Sequence, residues 1–262
     1  MSLPPLSRSK QVSIPGILGG LGPLAHIQFE QQLIESSRQR GATCDQDHPV
    51  WLLVNGTATP DRTRSIQGTG PDCTANLLRY AQCLEQAGAD FLVITCNTAH
   101  NFYQRVQPQL SIPWIHLMAC TTQHIREAYP QVQRVGVLAT DGTLQCELYH
   151  SSLKQAGLSP VCFALNSPWQ KRVMDGIYHP DWGIKATGTH VSAQALTVLE
   201  EAASWLKTQG AEVLIAGCTE LSVGCAQIPS LPLPWVDPLK AVADVTLDLA
   251  WGHRPLTLLQ AA

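Results

Sequence analysis

Short apolar runs alternate with longer segments of helical periodicity along most of this chain. The runs at 14–18, 51–54, 91–95, 135–139 and 213–216 are rich in Val, Ile and Leu and lack in–out alternation. Such runs read as strands buried on both faces, the usual condition of parallel sheets. Between them the spacing of apolar positions predicts helices over 24–40, 74–87, 191–209 and 237–249. Another is expected to follow Thr140-Asp141-Gly142-Thr143 and end at Gln155. Pro238 falls at the start of the last helix, where its missing N–H is no loss. The prolines of 228–234 exclude a helix there and mark a crossing segment. Strand–helix alternation of this kind predicts an α/β fold with parallel layers.

The pattern occurs twice. Gly88-Ala89-Asp90, an apolar strand, Cys96 and then Asn97-Thr98 are matched 122 positions later by Gly210-Ala211-Glu212, an apolar strand, Cys218 and then Thr219-Glu220. Gly16-Ile17-Leu18 before a glycine-rich turn is matched 120 positions later by Gly136-Val137-Leu138 before Thr140-Asp141-Gly142. Any two buried strands share apolar runs, but not a cysteine at the same place after each. The expectation is two similar lobes with mainly parallel central sheets, related by pseudo-two-fold symmetry, with the active site between them. Residues 1–12 read as a loose tail, 13–120 together with 226–262 as the N-terminal lobe, and 121–225 as the C-terminal lobe.

Composition narrows the function classes. The 262 residues carry 17 Lys and Arg against 20 Asp and Glu, a net charge of −3. No broad basic surface is available, which excludes nucleic acid as the main partner. Anionic small molecules stay open, since one or two local cations suffice to bind them. No run of about 18 apolar residues is present, so no membrane span is expected, and the first ten residues lack the apolar core of a signal peptide. Nine cysteines without such a signal suit a reducing compartment, the cytoplasm, and free thiols. There is no Cys-x-x-Cys or His-x-x-x-His pair, so no metal site is expected.

Two of the thiols stand where chemistry is possible. Cys96 and Cys218 fall at equivalent strand ends, and ligands of open parallel sheets sit at the carboxyl ends of the strands. A helix is expected to start just after each. Its first free N–H groups can bind a carboxylate and lower a thiol pKa. Two-fold symmetry sets one sulfur on either side of whatever lies between the lobes. One removes a proton from a carbon and the other returns one from the opposite face. That inverts the centre without a cofactor, provided hydrogen bonds to the carboxylate stabilise the carbanion. The turn Gly19-Gly20-Leu21-Gly22 does not fit a nucleotide-binding Gly-x-Gly-x-x-Gly pattern and reads as a tight turn bringing backbone close to a ligand. A non-catalytic binding module for an acidic metabolite is the alternative of another class, and it has no need of paired cysteines.

The segment GILGGLGPLA from Gly16 to Ala25 resembles the glycine-rich opening of the aspartate racemase branch of the aspartate/glutamate racemase superfamily. Pro60-Asp61-Arg62-Thr63, Cys96-Asn97-Thr98-Ala99-His100, the segment ending in Ile184-Lys185, and Gly217-Cys218-Thr219-Glu220-Leu221 are similar to further motifs of that branch. They follow in the same order across nearly the whole chain. The resemblance implies cofactor-independent (PLP-independent) interconversion of L- and D-aspartate in a homodimer, with glutamate or another amino acid as the alternative substrate. It implies Cys96 and Cys218 as the acid/base pair. Asn97, Thr98, Thr140 and Thr219 are then ligands of the α-carboxylate or amine, and Arg62 and Lys185 hold the side-chain carboxylate. Gly22, His26, His100 and Glu220 are expected close behind these, Glu220 orienting the Cys218 loop or capping its helix. His26 stands where relatives carry Thr and faces either the pocket or the helix surface. Pro238, also in place of a Thr, removes a backbone donor.

Overall fold

The computed structural model of the protein describes residues 11–256. The first half runs β1 (Pro15–Gly19), α1 (Pro23–Gln39), β2 (Leu52–Asn55), α2 (Arg62–Ile66), α3 (Thr74–Gln86), β3 (Phe91–Ile94), α4 (Tyr103–Val106) and α5 (Leu117–Ala128). The second runs β4 (Arg134–Ala139), α6 (Asp141–Gln145), α7 (Leu148–Gln155), β5 (Ser159–Val161), α8 (Pro168–Tyr178), α9 (Ile184–Thr187), α10 (Ala193–Thr208), β6 (Val213–Gly217), α11 (Thr219–Cys225), β7 (Trp235–Val236) and α12 (Pro238–Ala250). The strands form two parallel sheets, ordered β2-β1-β3 and β5-β4-β6-β7. β1, β3, β4 and β6 bury almost every side chain, which is why their sequences read as unbroken apolar runs.

The repeat is a repeat of packing as well as of sequence. Gly16 faces Leu92 across β1 and β3, and Gly136 faces Leu214 across β4 and β6. A Cβ on Gly16 would meet Leu84, Ala89 and Leu92; one on Gly136 would meet Leu206, Ala211 and Leu214. The second trio is the first displaced by 122 positions (84 to 206, 89 to 211, 92 to 214). In each half a leucine from the covering helix rests on bare backbone of the central strand, and a side chain there would lift the helix away. The following acid repeats too: Asp90 accepts the Ile14 N–H at 2.6 Å, and Glu212 accepts those of Gln133 and Arg134 at 2.7 Å. Even the edges correspond, since Trp114 bridges Leu92 as Trp235 pairs with Leu214.

The halves share a core between them. One apolar cluster takes Ile17, Phe29 and Val93 from the first half with Val135, Val137, Ile215 and Val242 from the second. Two further clusters lie on the outer faces, one in each half.

Several expectations need correcting. Within 226–256, β7 extends the second sheet and α12 packs on α1 and α5 of the first half. Of the expected 1–12 tail, Gln11 and Val12 are tied down: the Val12 N–H donates to Ala250 O at 2.9 Å, and the Gln11 amide bonds Val50. Residues 1–10 and the lobe assignment of 257–262 lie outside the described residues. The helix expected to end at Gln155 is two, α6 and α7, broken by Glu147 in the left-handed conformation at φ 50°.

Among the described residues, no helix is long and apolar enough to cross a membrane, and no cluster of side chains could hold a metal ion. All nine cysteines are free.

Candidate active site

A narrow cleft lies where the two sheets present their strand ends to each other. The first half supplies Leu21, Arg62, Cys96, Asn97 and Thr98 to its wall. The second supplies Thr140, Tyr178, Lys185, Cys218, Thr219 and Glu220. The sequence-predicted residues outside this wall are Gly22, His26 and His100. Leu21 and Tyr178 are added to it. Tyr178 ends α8, a helix announced by the cap-and-proline pair Ser167-Pro168, so its signal was present in the sequence.

Cys218 is the N-cap of α11 and is 8% exposed. Its Sγ donates to Glu220 Oε2 at 3.0 Å, and the Thr219 hydroxyl donates to the same oxygen at 3.2 Å. Glu220 Oε1 is ion-paired with Lys185, whose ammonium lies 5.4 Å from the centre of the Tyr178 ring. Burial acts to raise the Glu220 carboxyl, but Lys185 and the Cys218 thiol outweigh it and hold it below the usual glutamate range. Burial also works against the Lys185 charge, and Glu220 outweighs it in turn. Burial and then the Glu220 carboxylate push the Cys218 thiol well above the ordinary thiol range, with Lys185 pulling the other way. Lys185 reaches this place from the short helix α9, anchored by the fully buried Ile184.

Cys96, 7% exposed, faces the Arg62 guanidinium. Arg62 begins α2, whose N-cap Asp61 accepts the Arg64 N–H at 2.8 Å and the Tyr178 hydroxyl at 3.3 Å. Arg62, expected with Lys185 to hold a side-chain carboxylate, has backbone partners of its own. Its terminal nitrogens donate to Leu21 O at 2.5 Å and Pro60 O at 3.1 Å, while its buried Nε has no partner among the described residues. The turn after Cys96 is a 3-10 helix, Thr98–Phe102, where an α-helix was expected. The cause is His100. Its ring nitrogen takes the Cys96 carbonyl at 2.9 Å, so the His100 N–H turns to Asn97 O at 3.0 Å.

The polar residues between the sulfurs are held from both halves. The Tyr149 hydroxyl donates to Asn97 Oδ1 at 2.5 Å, which leaves Asn97 Nδ2 buried on the cleft without a partner among the described residues. Such an orphan donor is costly unless a ligand meets it. The Thr98 hydroxyl bonds those of Thr140 at 3.1 Å and Thr143 at 2.9 Å, joining the halves beneath the cleft.

The three remaining residues act from behind. Gly22 has φ 132°, and a Cβ there would lie 2.5 Å from Glu220 Oε1. His26 faces neither pocket nor helix surface. It is buried under the glycine turn, its Nδ1 accepting the Gly20 N–H at 3.2 Å. His100 Nε2 accepts the Leu117 N–H at 3.2 Å, so its proton is on Nδ1, facing the Cys96 carbonyl.

Comparison with known proteins agrees with this architecture. Over 242 residues the chain is 29% identical to a broad specificity amino-acid racemase of Bacillus subtilis, covering 91% of this chain and 99% of that one. The aspartate racemase of Picrophilus torridus superposes with a TM-score of 0.76 at 24% identity, covering 92% and 94% of the two chains. A glutamate racemase of Bacillus anthracis does so at 0.63 and 18%, covering 95% and 85%. The profile of the Asp/Glu/hydantoin racemases matches residues 18–246. With that match spanning most of its length, the chain belongs to the Asp/Glu/hydantoin racemase family.

Proposed function

We propose that the protein interconverts L- and D-aspartate without a cofactor, by proton transfer between the α-carbon and two cysteines. The observation that carries this reading is that Cys96 and Cys218, from equivalent strand ends of the two halves, line one small cleft. The thiolate of one takes the α-proton; the thiol of the other delivers its proton to the opposite face. The carbanion between these steps needs donors on its carboxylate, and the unpaired Asn97 amide is placed to provide one. Two cations, Arg62 and Lys185, face the Glu220 carboxylate and the one thiolate in the cleft wall, so both charges needed to receive an amino acid carrying a second carboxylate are present without net repulsion.

A racemase of wider substrate range is the second reading. It is favoured by the prior commitment of Lys185 to Glu220 and of Arg62 to backbone carbonyls, which weakens the demand for an acidic side chain. A panel of amino acids compared by kcat/KM separates the two. The reaction itself is tested in deuterium oxide. Deuterium enters Cα during racemisation, and Cys96→Ser and Cys218→Ser each abolish racemisation. A Cys96→Ser protein racemising at full rate refutes the two-cysteine mechanism. Aspartate binding without any α-proton exchange in the wild type identifies a binding module.

A further inference from the structure

We infer that Glu220 is a positioning residue that keeps the proton on Cys218 in the free enzyme and so leaves Cys96 to take the substrate's α-proton first. This rests on the racemase reading and adds an order to its steps. The two thiols have different neighbours: Cys218 has a carboxylate at 3.0 Å, whereas the carboxylate-bearing position after Cys218 is matched by Thr98 after Cys96. A carboxylate accepts a hydrogen bond from a thiol and repels a thiolate. Glu220 can play this part only while ionised, and Lys185, bound through the other oxygen, keeps it so. Gly22 completes the arrangement, because any side chain there would collide with that oxygen. The other ionisable groups facing Cys218 are the Tyr178 and Tyr149 phenols, both raised by burial and therefore neutral. Lys185 is the opposing charge, and Glu220 already answers it.

The consequence for the reaction is an asymmetry. The α-proton passes to the Cys96 sulfur, and the Cys218 proton passes to the opposite face of the carbon. The product complex then holds a Cys218 thiolate against the Glu220 carboxylate, a state that proton exchange with water relieves after release. Enantiomers are equal in free energy, so kcat/KM is the same in both directions whatever Glu220 does. The asymmetry resides in kcat and KM taken separately.

The experiment is a pH titration of Cys218 in the full-length protein, read by 13C NMR of labelled cysteine and by the rate of iodoacetamide modification at that residue. Neither readout needs turnover, so an inactive protein would fail the proposed function without deciding this titration. In the wild type, Cys218 titrates well above the ordinary thiol value of 9.0. In Glu220→Gln the inflection falls by about one pH unit or more, a rise of about tenfold in modification rate at pH 8. The ratio of forward to reverse kcat moves toward one, while kcat/KM stays equal in the two directions. Glu220→Asp, which keeps the charge, restores the high inflection. A wild-type Cys218 that titrates like a free thiol overturns the inference, and this needs no variant to fold. So does an inflection that Glu220→Gln leaves in place.

Discussion

His100 connects the pH of the medium to the backbone that carries Cys96. It is 3% exposed, and burial followed by the nearby His116 lowers it from 6.5 to about 3. His116, with its ring centre 5.1 Å away, is lowered by burial to about 4. Below pH 6.5 the unfolded chain binds protons that the folded protein refuses. Stability present above pH 6.5 is therefore lost as the pH falls. One proton is worth about 1.4 kcal/mol per pH unit, so the interval from 6.5 to about 3 corresponds to about 5 kcal/mol for His100. The interval from 6.5 to about 4 corresponds to about 3 kcal/mol for His116. His26, His124 and His150 are lowered by burial too and act in the same sense, whereas Asp237, raised by burial, acts oppositely. A domain stable by about 5–15 kcal/mol cannot absorb much of this, so unfolding is expected near pH 4–5. The assay is urea unfolding followed by circular dichroism between pH 8 and pH 5. His116→Phe removes one titrating ring and keeps an aromatic ring against His100 and Tyr103. It should reduce the slope by about 1.4 kcal/mol per pH unit. A wild-type slope of less than one proton between pH 6 and pH 5, or one unmoved by His116→Phe, would refute the reasoning.

Further predictions concern single contacts. Arg40, its side chain fully buried, donates to Asp248 at 2.6 Å and to the Asp244 carbonyl at 3.0 Å, joining α1 to α12. Arg40→Met should cost about 3 kcal/mol in urea unfolding, and a loss below about 1 kcal/mol would show the tie to be dispensable. Tyr149→Phe leaves the buried Asn97 carbonyl oxygen unpaired and frees its amide to rotate. The expected outcome is about 1–2 kcal/mol of stability lost and a KM raised several-fold; an unchanged KM would mean that Asn97 does not meet the substrate. Gly22→Ala combines φ 132° with the collision at Glu220, and racemisation should fall by about tenfold or more. Full activity in that variant would disprove the close approach of turn and carboxylate.

The duplicated strands and the two cysteines were legible because they rest on strong local signals: β-branched runs, and a Gly-Ala-acid prefix whose glycine, alanine and acid each have a packing or hydrogen-bonding task. Helix α5 was not, since it buries Cys120, Thr121 and Thr122 beside its Leu and Met, and its N-cap His116 makes no side-chain cap bond. The strand β5 contains Pro160 at a sheet edge, a residue that argues against a strand when read without neighbours. At the site, the residue types were readable but their commitments were not. Nothing local says that Arg62 spends its terminal nitrogens on Leu21 and Pro60, or that His100 diverts the Cys96 carbonyl. Those bonds join residues distant in the sequence or depend on which of two donors wins.

The continuous apolar interior has a consequence for the duplicated halves. Each keeps the backbone register of its twin and an apolar cluster of its own, yet the two share a third, in which Ile17 and Val93 rest with Val137 and Ile215. A chain severed between α5 and β4 would hand each fragment an oily face with no cover. The shared cluster couples the two units, so they are expected to unfold in one transition.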